Sequence, residues 1–285
     1  MIFETSKKTK LEYGIWGDIK SSQVAVFFHG FPGAHIQAKS LDAFVTQNGF
    51  CVIAADRPGY GDSTFIKPGD YKSHLQAVIE LLDHYQIKKF SVIGLSGGAP
   101  MAHLLAVETP DRVENLMIIC GLIPFSETSK NHFSPRQQKA LLWRKILPSF
   151  VVRTLANAVL SRIKPEQKIQ DFYKFLAEPD RKALIEAKHR SLLLESMQEA
   201  RRQKSNGAVW DSALYARNWL AGYNLENFKK FPVYYFHGRH DKVLNPSMPE
   251  YMNQLIPHAK VRILEEEGHY SLGLNRAEEM LRLIF

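Results

Sequence analysis

The stretch Phe90-Ser91-Val92-Ile93-Gly94-Leu95-Ser96-Gly97-Gly98-Ala99-Pro100 decides the fold. Its first four residues form a mostly apolar, β-prone run that reads as a short buried strand. Residues 99–107 are mostly good helix formers with apolar side chains at helical spacing. Pro100 falls in the first turn, where a missing N–H costs nothing. Ser96 therefore sits at a sharp strand-to-helix turn. Such a turn strains the serine backbone and brings strand and helix together, so Gly94 and Gly98 stand where a Cβ would clash. The expectation is a Ser96 hydroxyl exposed at the C-terminal edge of a parallel sheet. Beside it, the helix N-terminus points free N–H groups at any developing negative charge. The pattern Gly94-Leu95-Ser96-Gly97-Gly98 is short, and alone it also fits a plain glycine-rich turn. The flanking strand and helix favour a nucleophile.

Working outward, residues 10–16 and 23–28 read as strands, the second running into His29-Gly30-Phe31-Pro32-Gly33. Residues 34–48 have helical periodicity and stop at Gly49; residues 50–55 form another buried strand. A dense turn, Asp56-Arg57-Pro58-Gly59-Tyr60-Gly61-Asp62-Ser63, precedes an amphipathic helix over 71–85. Downstream of the serine, 115–120 is one more apolar strand. From 122 to 227 the alternation stops. That segment reads as helices broken by Pro124, Pro135, Pro148, Pro165 and Pro179, and it is rich in aromatic residues. Alternation resumes with a strand over 231–236 ending in His237-Gly238-Arg239-His240-Asp241. A helix over 248–256 follows, then a strand over 259–264 running into Glu265-Glu266-Glu267-Gly268-His269-Tyr270, and a closing helix over 275–284.

This order predicts an α/β fold: a mostly parallel central sheet with helices on both faces, and ligands bound beyond the C-terminal strand ends. The core domain would comprise 1–121 and 228–285, with 122–227 inserted as a helical cap over that edge.

At 285 residues the chain can hold one large domain with an insertion. It contains no apolar stretch of about 18 residues, so no membrane span is expected. The first eight residues lack the apolar run of a signal peptide. Cys51 and Cys120 lie in apolar strand-like runs and read as buried thiols in a reducing, cytoplasmic compartment. The net charge of +8 is concentrated: residues 130–204 carry 17 Lys and Arg against 7 Asp and Glu, while the remainder carries 20 against 22. A solvated helical surface explains this, and so would an acidic substrate or an anionic membrane surface. The basic residues are scattered without a recognition motif, so no nucleic-acid partner is expected. Neither metal-ligand spacing nor a phosphate-binding glycine motif is visible, and no metal or cofactor is implied.

Acyl transfer by a serine needs a base for the Oγ proton, an acid to orient that base, and donors for the oxyanion. Ser96, Asp241 and His269 occur in that order, each directly after a strand. With the His29–Gly33, Asp56–Ser63, Gly94–Gly98, His237–Asp241 and Gly268–Tyr270 motifs, nearly the whole chain resembles the α/β-hydrolase superfamily. The resemblance implies that Ser96 is the nucleophile, His269 the general base and Asp241 its orienting acid. It also implies oxyanion donors in the backbone N–H groups of Gly97 and Phe31, with the Phe31 side chain facing the pocket. A serine at this turn sets the chain apart from the haloalkane dehalogenases and epoxide hydrolases, which place an aspartate there.

Glu266 and Glu267 rival Asp241 but are tethered too close to His269 to reach the correct ring nitrogen. His29 is expected to order its loop, His240 to face solvent, and Asp56 and Asp62 to hold their own turn. Most aromatic residues of 122–227 should be core, a few pocket. The function expected is hydrolysis of a small-to-medium, largely apolar carboxylic ester, a small-molecule substrate. Aminopeptidase, C–C bond hydrolase or acyltransferase activity would use the same residues, and a ligand receptor is the alternative of another class. The oligomeric state is left open.

Overall fold

Val24, Val26 and Phe28 pack into one apolar cluster, while Ala25 and Phe27 between them pack into another. That alternation is the period-two geometry of a strand with both faces covered. It recurs at Val92 against Ile93, and at Leu116 and Ile118 against Met117 and Ile119. In the computed structural model, which describes residues 1–162 and 172–285, these residues belong to an eight-stranded sheet. Its strands are β1 (Ile2–Glu4), β2 (Lys10–Gly17), β3 (Val24–Phe28), β4 (Cys51–Ala55), β5 (Phe90–Leu95), β6 (Val113–Ile119), β7 (Val233–Gly238) and β8 (Lys260–Leu264). They lie in the order β1-β2-β4-β3-β5-β6-β7-β8. β1 and β2 pair antiparallel, β2 pairs antiparallel with β4, and the rest is parallel.

One face is covered by α2 (Tyr71–His84) and α3 (Ala99–Glu108), the other by α1 (Asp42–Asn48) and α11 (Ala277–Leu281). Between β6 and β7 run α4 (Pro135–Ile146), α5 (Ser149–Arg162), α6 (Glu178–Ile185), α7 (Ala187–Glu199) and α8 (Asn206–Tyr215). Pro165, a predicted helix breaker, lies outside the described residues. Near the C-terminus, α9 (Met248–Leu255) precedes β8 and α10 (Ser271–Asn275) follows it. Among the described residues no helix is long and apolar enough to cross a membrane.

Three local expectations need correction. The helical periodicity over 34–48 resolves into a 3-10 turn (His35–Leu41) followed by α1. The closing helix is two short ones, α10 and α11. β1, three residues long, adds an edge strand that so short a run did not announce.

The parallel register brings strand ends level: Phe28 opposite Gly94, Leu95 opposite Ile119, Ile119 opposite Phe236, Gly238 opposite Leu264. The loops carrying Phe31, Ser96, Asp241 and His269 therefore leave one edge of the sheet. Ligands bind at such an edge because the loops there converge while the sheet holds them rigid.

Candidate active site

Ser96 follows β5 with a positive φ of 51°, a left-handed conformation uncommon outside glycine. Close packing on both sides holds it there. A Cβ on Gly98 would lie 2.1 Å from the Phe28 carbonyl oxygen, and one on Gly94 would lie 2.7 Å from Ala102 Cβ. Strand and helix can approach this closely only because both positions lack a side chain.

His269 Nε2 lies 2.9 Å from Ser96 Oγ, and His269 Nδ1 lies 2.7 Å from Asp241 Oδ2. The carboxylate facing Nδ1 fixes the proton there, so Nε2 accepts from the serine hydroxyl. Asp241 is itself held from four sides. Its Oδ1 accepts from the backbone N–H groups of Val243 (2.7 Å) and Leu244 (2.8 Å). Its Oδ2 also takes His237 Nε2 at 3.0 Å. Burial opposes ionisation of Asp241, but the two histidines and their hydrogen bonds outweigh it and hold the carboxyl well below the usual carboxylate range. Burial likewise opposes protonation of His269. Asp241, by charge and by hydrogen bond, and more weakly the charge of Asp180, nevertheless raise its pKa above the ordinary histidine value.

The loop after β3 reaches the same place. A Cβ on Gly97 would lie 2.6 Å from Phe31 Cβ and 3.2 Å from Phe31 N, so the two backbones meet beside the serine. His29, fully buried, orders this loop: Nδ1 donates to the Gly30 carbonyl (2.9 Å) and Nε2 accepts from the Arg57 N–H (3.2 Å). The Arg57 guanidinium donates to the carbonyls of His29 and Gly30. It is neutralised by a bidentate pair with Asp211 of α8, both contacts 2.7 Å.

Other predicted residues lie elsewhere. Glu267 is taken by Arg276 (2.9 Å) and Asn275 (3.2 Å), and His240 is exposed. The Asp56 and Asp62 expectation needs correction: neither side chain closes its own turn. Asp56 takes His35, through backbone N–H and Nδ1, and Asp62 pairs with Arg202 (2.6 Å). The turn is held by Ser63, whose Oγ donates to the Asp56 carbonyl at 2.9 Å.

A cavity of about 240 Å³ opens beside Ser96 and His269. Phe31, Phe172, Leu184 and Leu192 are among the residues that line it. Its inner end reaches one face of the sheet, at Phe27, Ile93 and Met117, against Met280 and Leu281. Of the aromatic residues in 122–227, Phe172 lines this cavity. Phe133, Trp210, Tyr215 and Trp219 are buried in the core, whereas Trp143, Phe150 and Phe175 are exposed. Tyr215 also touches the serine turn, its hydroxyl donating to the Gly97 carbonyl at 2.8 Å.

Residues that the sequence did not single out also serve the site: His237 on Asp241, the Arg57–Asp211 pair behind the Phe31 loop, and Asp180. Asp180 accepts the backbone N–H groups of His269, Tyr270 and Ser271. His237, four residues before Asp241, and Arg57, in the turn after β4, lay in stretches already quoted; Asp180 and Asp211 carried no signal. As for metals, Cys120, Asp241 and His269 have ligand atoms within 4.8 Å of one another, as do Glu12, His35 and Asp56. In both groups a histidine–carboxylate hydrogen bond draws the members together.

Known proteins share this architecture. The sn-1-specific diacylglycerol lipase ABHD11 of Mus musculus is 28% identical over 165 residues, which is 57% of this chain and 53% of the relative. The chain spans about half the length of such curated relatives. A hydrolase from Pseudomonas aeruginosa PA01 superposes with a TM-score of 0.72 at 19% identity, covering 100% of this chain and 97% of that one. The esterase EaEST of Exiguobacterium antarcticum gives 0.67 at 16%, with 100% and 97% covered. At that identity the likeness is one of fold. A model of the alpha/beta hydrolase fold matches residues 24–275, and the chain belongs to that family.

Proposed function

We propose that the protein is a serine hydrolase cleaving a small-to-medium, largely apolar carboxylic ester through an acyl-enzyme on Ser96. The observation that carries this is the hydrogen-bonded chain from Ser96 through His269 to Asp241 at the mouth of an apolar cavity. In the acylation step His269 Nε2 takes the hydroxyl proton as Oγ attacks the ester carbon. The backbone N–H groups of Gly97 and Phe31 receive the charge developing on the carbonyl oxygen. The imidazolium, held by Asp241, then passes its proton to the departing alkoxide. In the second half His269 draws a proton from water as the water oxygen attacks the acyl carbon; the bond to Ser96 Oγ then breaks, and His269 returns the proton to Oγ. The acid product leaves from the cavity.

The segment 122–227 serves as the cap. Its α6 and α7 supply Leu184 and Leu192 to the cavity and keep water from the acyl chain. An aminopeptidase or acyltransferase would share the acyl-enzyme and differ in leaving group or acceptor. The buried free thiols Cys51 and Cys120 fit a reducing compartment, and we place the protein in the cytoplasm.

Labelling with a fluorophosphonate and turnover of p-nitrophenyl esters of increasing chain length test this reading. Labelling and turnover should both vanish in Ser96→Ala, with the melting temperature nearly unchanged. Through the filling of the cavity, kcat/KM should rise by about fourfold per methylene. Labelling that survives in Ser96→Ala, or moves to another serine, rules the assignment out.

A further inference from the structure

We propose that Asp180 is a positioning residue for His269, so that the imidazole is held from the inserted helices as well as from the sheet. The proposal rests on the reading of His269 as the general base.

Asp180 lies on α6 with its side chain fully buried. Its Oδ2 accepts the His269 N–H at 3.1 Å, and its Oδ1 accepts those of Tyr270 (2.8 Å) and Ser271 (2.9 Å). Three consecutive N–H groups leading into α10, which at that end have no partner within the helix, thus share one carboxylate. The preceding residue must be glycine for the carboxylate to come this close: a Cβ on Gly268 would lie 2.4 to 2.6 Å from the Asp180 carboxyl atoms. His269 is then fixed twice, by Asp180 at its backbone and by Asp241 at Nδ1. That leaves Nε2 aimed at Ser96.

The charge matters as well as the bonds. Several groups surround His269: Asp241, with His237 behind it; Asp180; Tyr270 alongside; Cys120, whose Sγ contacts the Gly268 carbonyl; Glu267, engaged by Arg276; and His189 across the cavity. Among these, Asp241 and Asp180 favour the imidazolium. Replacing Asp180 by asparagine keeps the size, removes the charge and turns an amide donor towards one of the backbone donors.

In the full-length protein, kcat for p-nitrophenyl butyrate should fall about 10- to 100-fold in Asp180→Asn, with KM changed by less than about threefold. The acid limb of its kcat/KM profile should move to lower pH, since a charge that raised the His269 pKa has gone. Asp180→Glu keeps the charge but displaces the oxygens, so its kcat should fall while its acid limb stays in place. Asp180→Asn with wild-type kcat, or with a lowered kcat and an unmoved acid limb, overturns the proposal. If the asparagine variant does not fold, wild-type kcat in Asp180→Glu overturns it instead. Failure of the hydrolase reading is separate: the wild-type protein would then show no Ser96-dependent turnover at all.

Discussion

Asp241 offers two oxygens to four donors, and two of the four are histidines. Saturated in this way it stays ionised although buried, and it can neutralise an imidazolium without itself taking the proton. His269 has a raised pKa, and in the proposed mechanism it must be neutral to act as base. Protonation should then silence the site below that pKa, so kcat/KM should rise with pH through a value above about 6.5 and then level off. Asp241→Asn presents an amide donor to Nδ1 and favours the wrong tautomer. It should cost about four orders of magnitude in kcat and lower the pKa of the acid limb. A pH–rate study of both forms checks this, with Glu267→Gln alongside. A silent Asp241→Asn with an impaired Glu267→Gln would reassign the acid. That Ser96, Asp241 and His269 would meet was legible because each lies in a loop that follows a strand and has glycine close by. Asp180 was not, because it lies 89 residues before His269 and meets it only through the docking of α6. Asp56 and Asp62 looked like turn residues, and their partners, His35 and Arg202, are set by tertiary packing.

Among elements, the junction of β5 with α3 is the tightest contact that serves the site. Gly98 faces the Phe28 carbonyl, a backbone group that cannot rotate away. Gly98→Ala must push α3 off β3. It should lower stability by about 2–3 kcal/mol, read from urea unfolding, and reduce fluorophosphonate labelling by more than the unfolded fraction explains. The strands flanking this junction could be read from sequence because a doubly covered parallel sheet makes each one a continuous apolar run. The inserted helices were harder. Their apolar residues are split between core (Trp210, Trp219), cavity (Phe172, Leu184) and surface (Trp143, Phe150), and periodicity cannot tell these three fates apart. The 3-10 turn before α1 kept helical spacing, but His35 at its start is drawn to the Asp56 carboxylate.

For the molecule as a whole, His29, His74 and His103, three of the buried histidines outside the Ser96–His269 contact, should set its tolerance of acid. Burial pushes the pKa of His74 down to about 3 and that of His103 down to about 4. It also pushes His29 well below the ordinary value, with the nearby Arg57 charge adding to the effect. Unfolded histidines titrate near 6.5, so between that value and about 4 the unfolded chain binds the extra protons. Stability is complete above the unfolded pKa and is lost as pH falls, by up to about 1.4 kcal/mol per pH unit for each histidine. Urea midpoints between pH 7.5 and 4.5 should fall accordingly, and His103→Gln should flatten the slope by about a third. A midpoint independent of pH would refute this. The distance that the chain travels between Ser96 and His269 has a different consequence. The two side chains meet at 2.9 Å across 173 residues of sequence. During synthesis β2 to β6 can pair as they emerge, yet the serine has no imidazole until residue 269 arrives and β8 docks on β7. If Ser96 is the nucleophile, a nascent chain that stops short of His269 holds it in a disarmed form, and a covalent serine probe added to a translation reaction should count chains whose β8 has docked instead of polypeptide made.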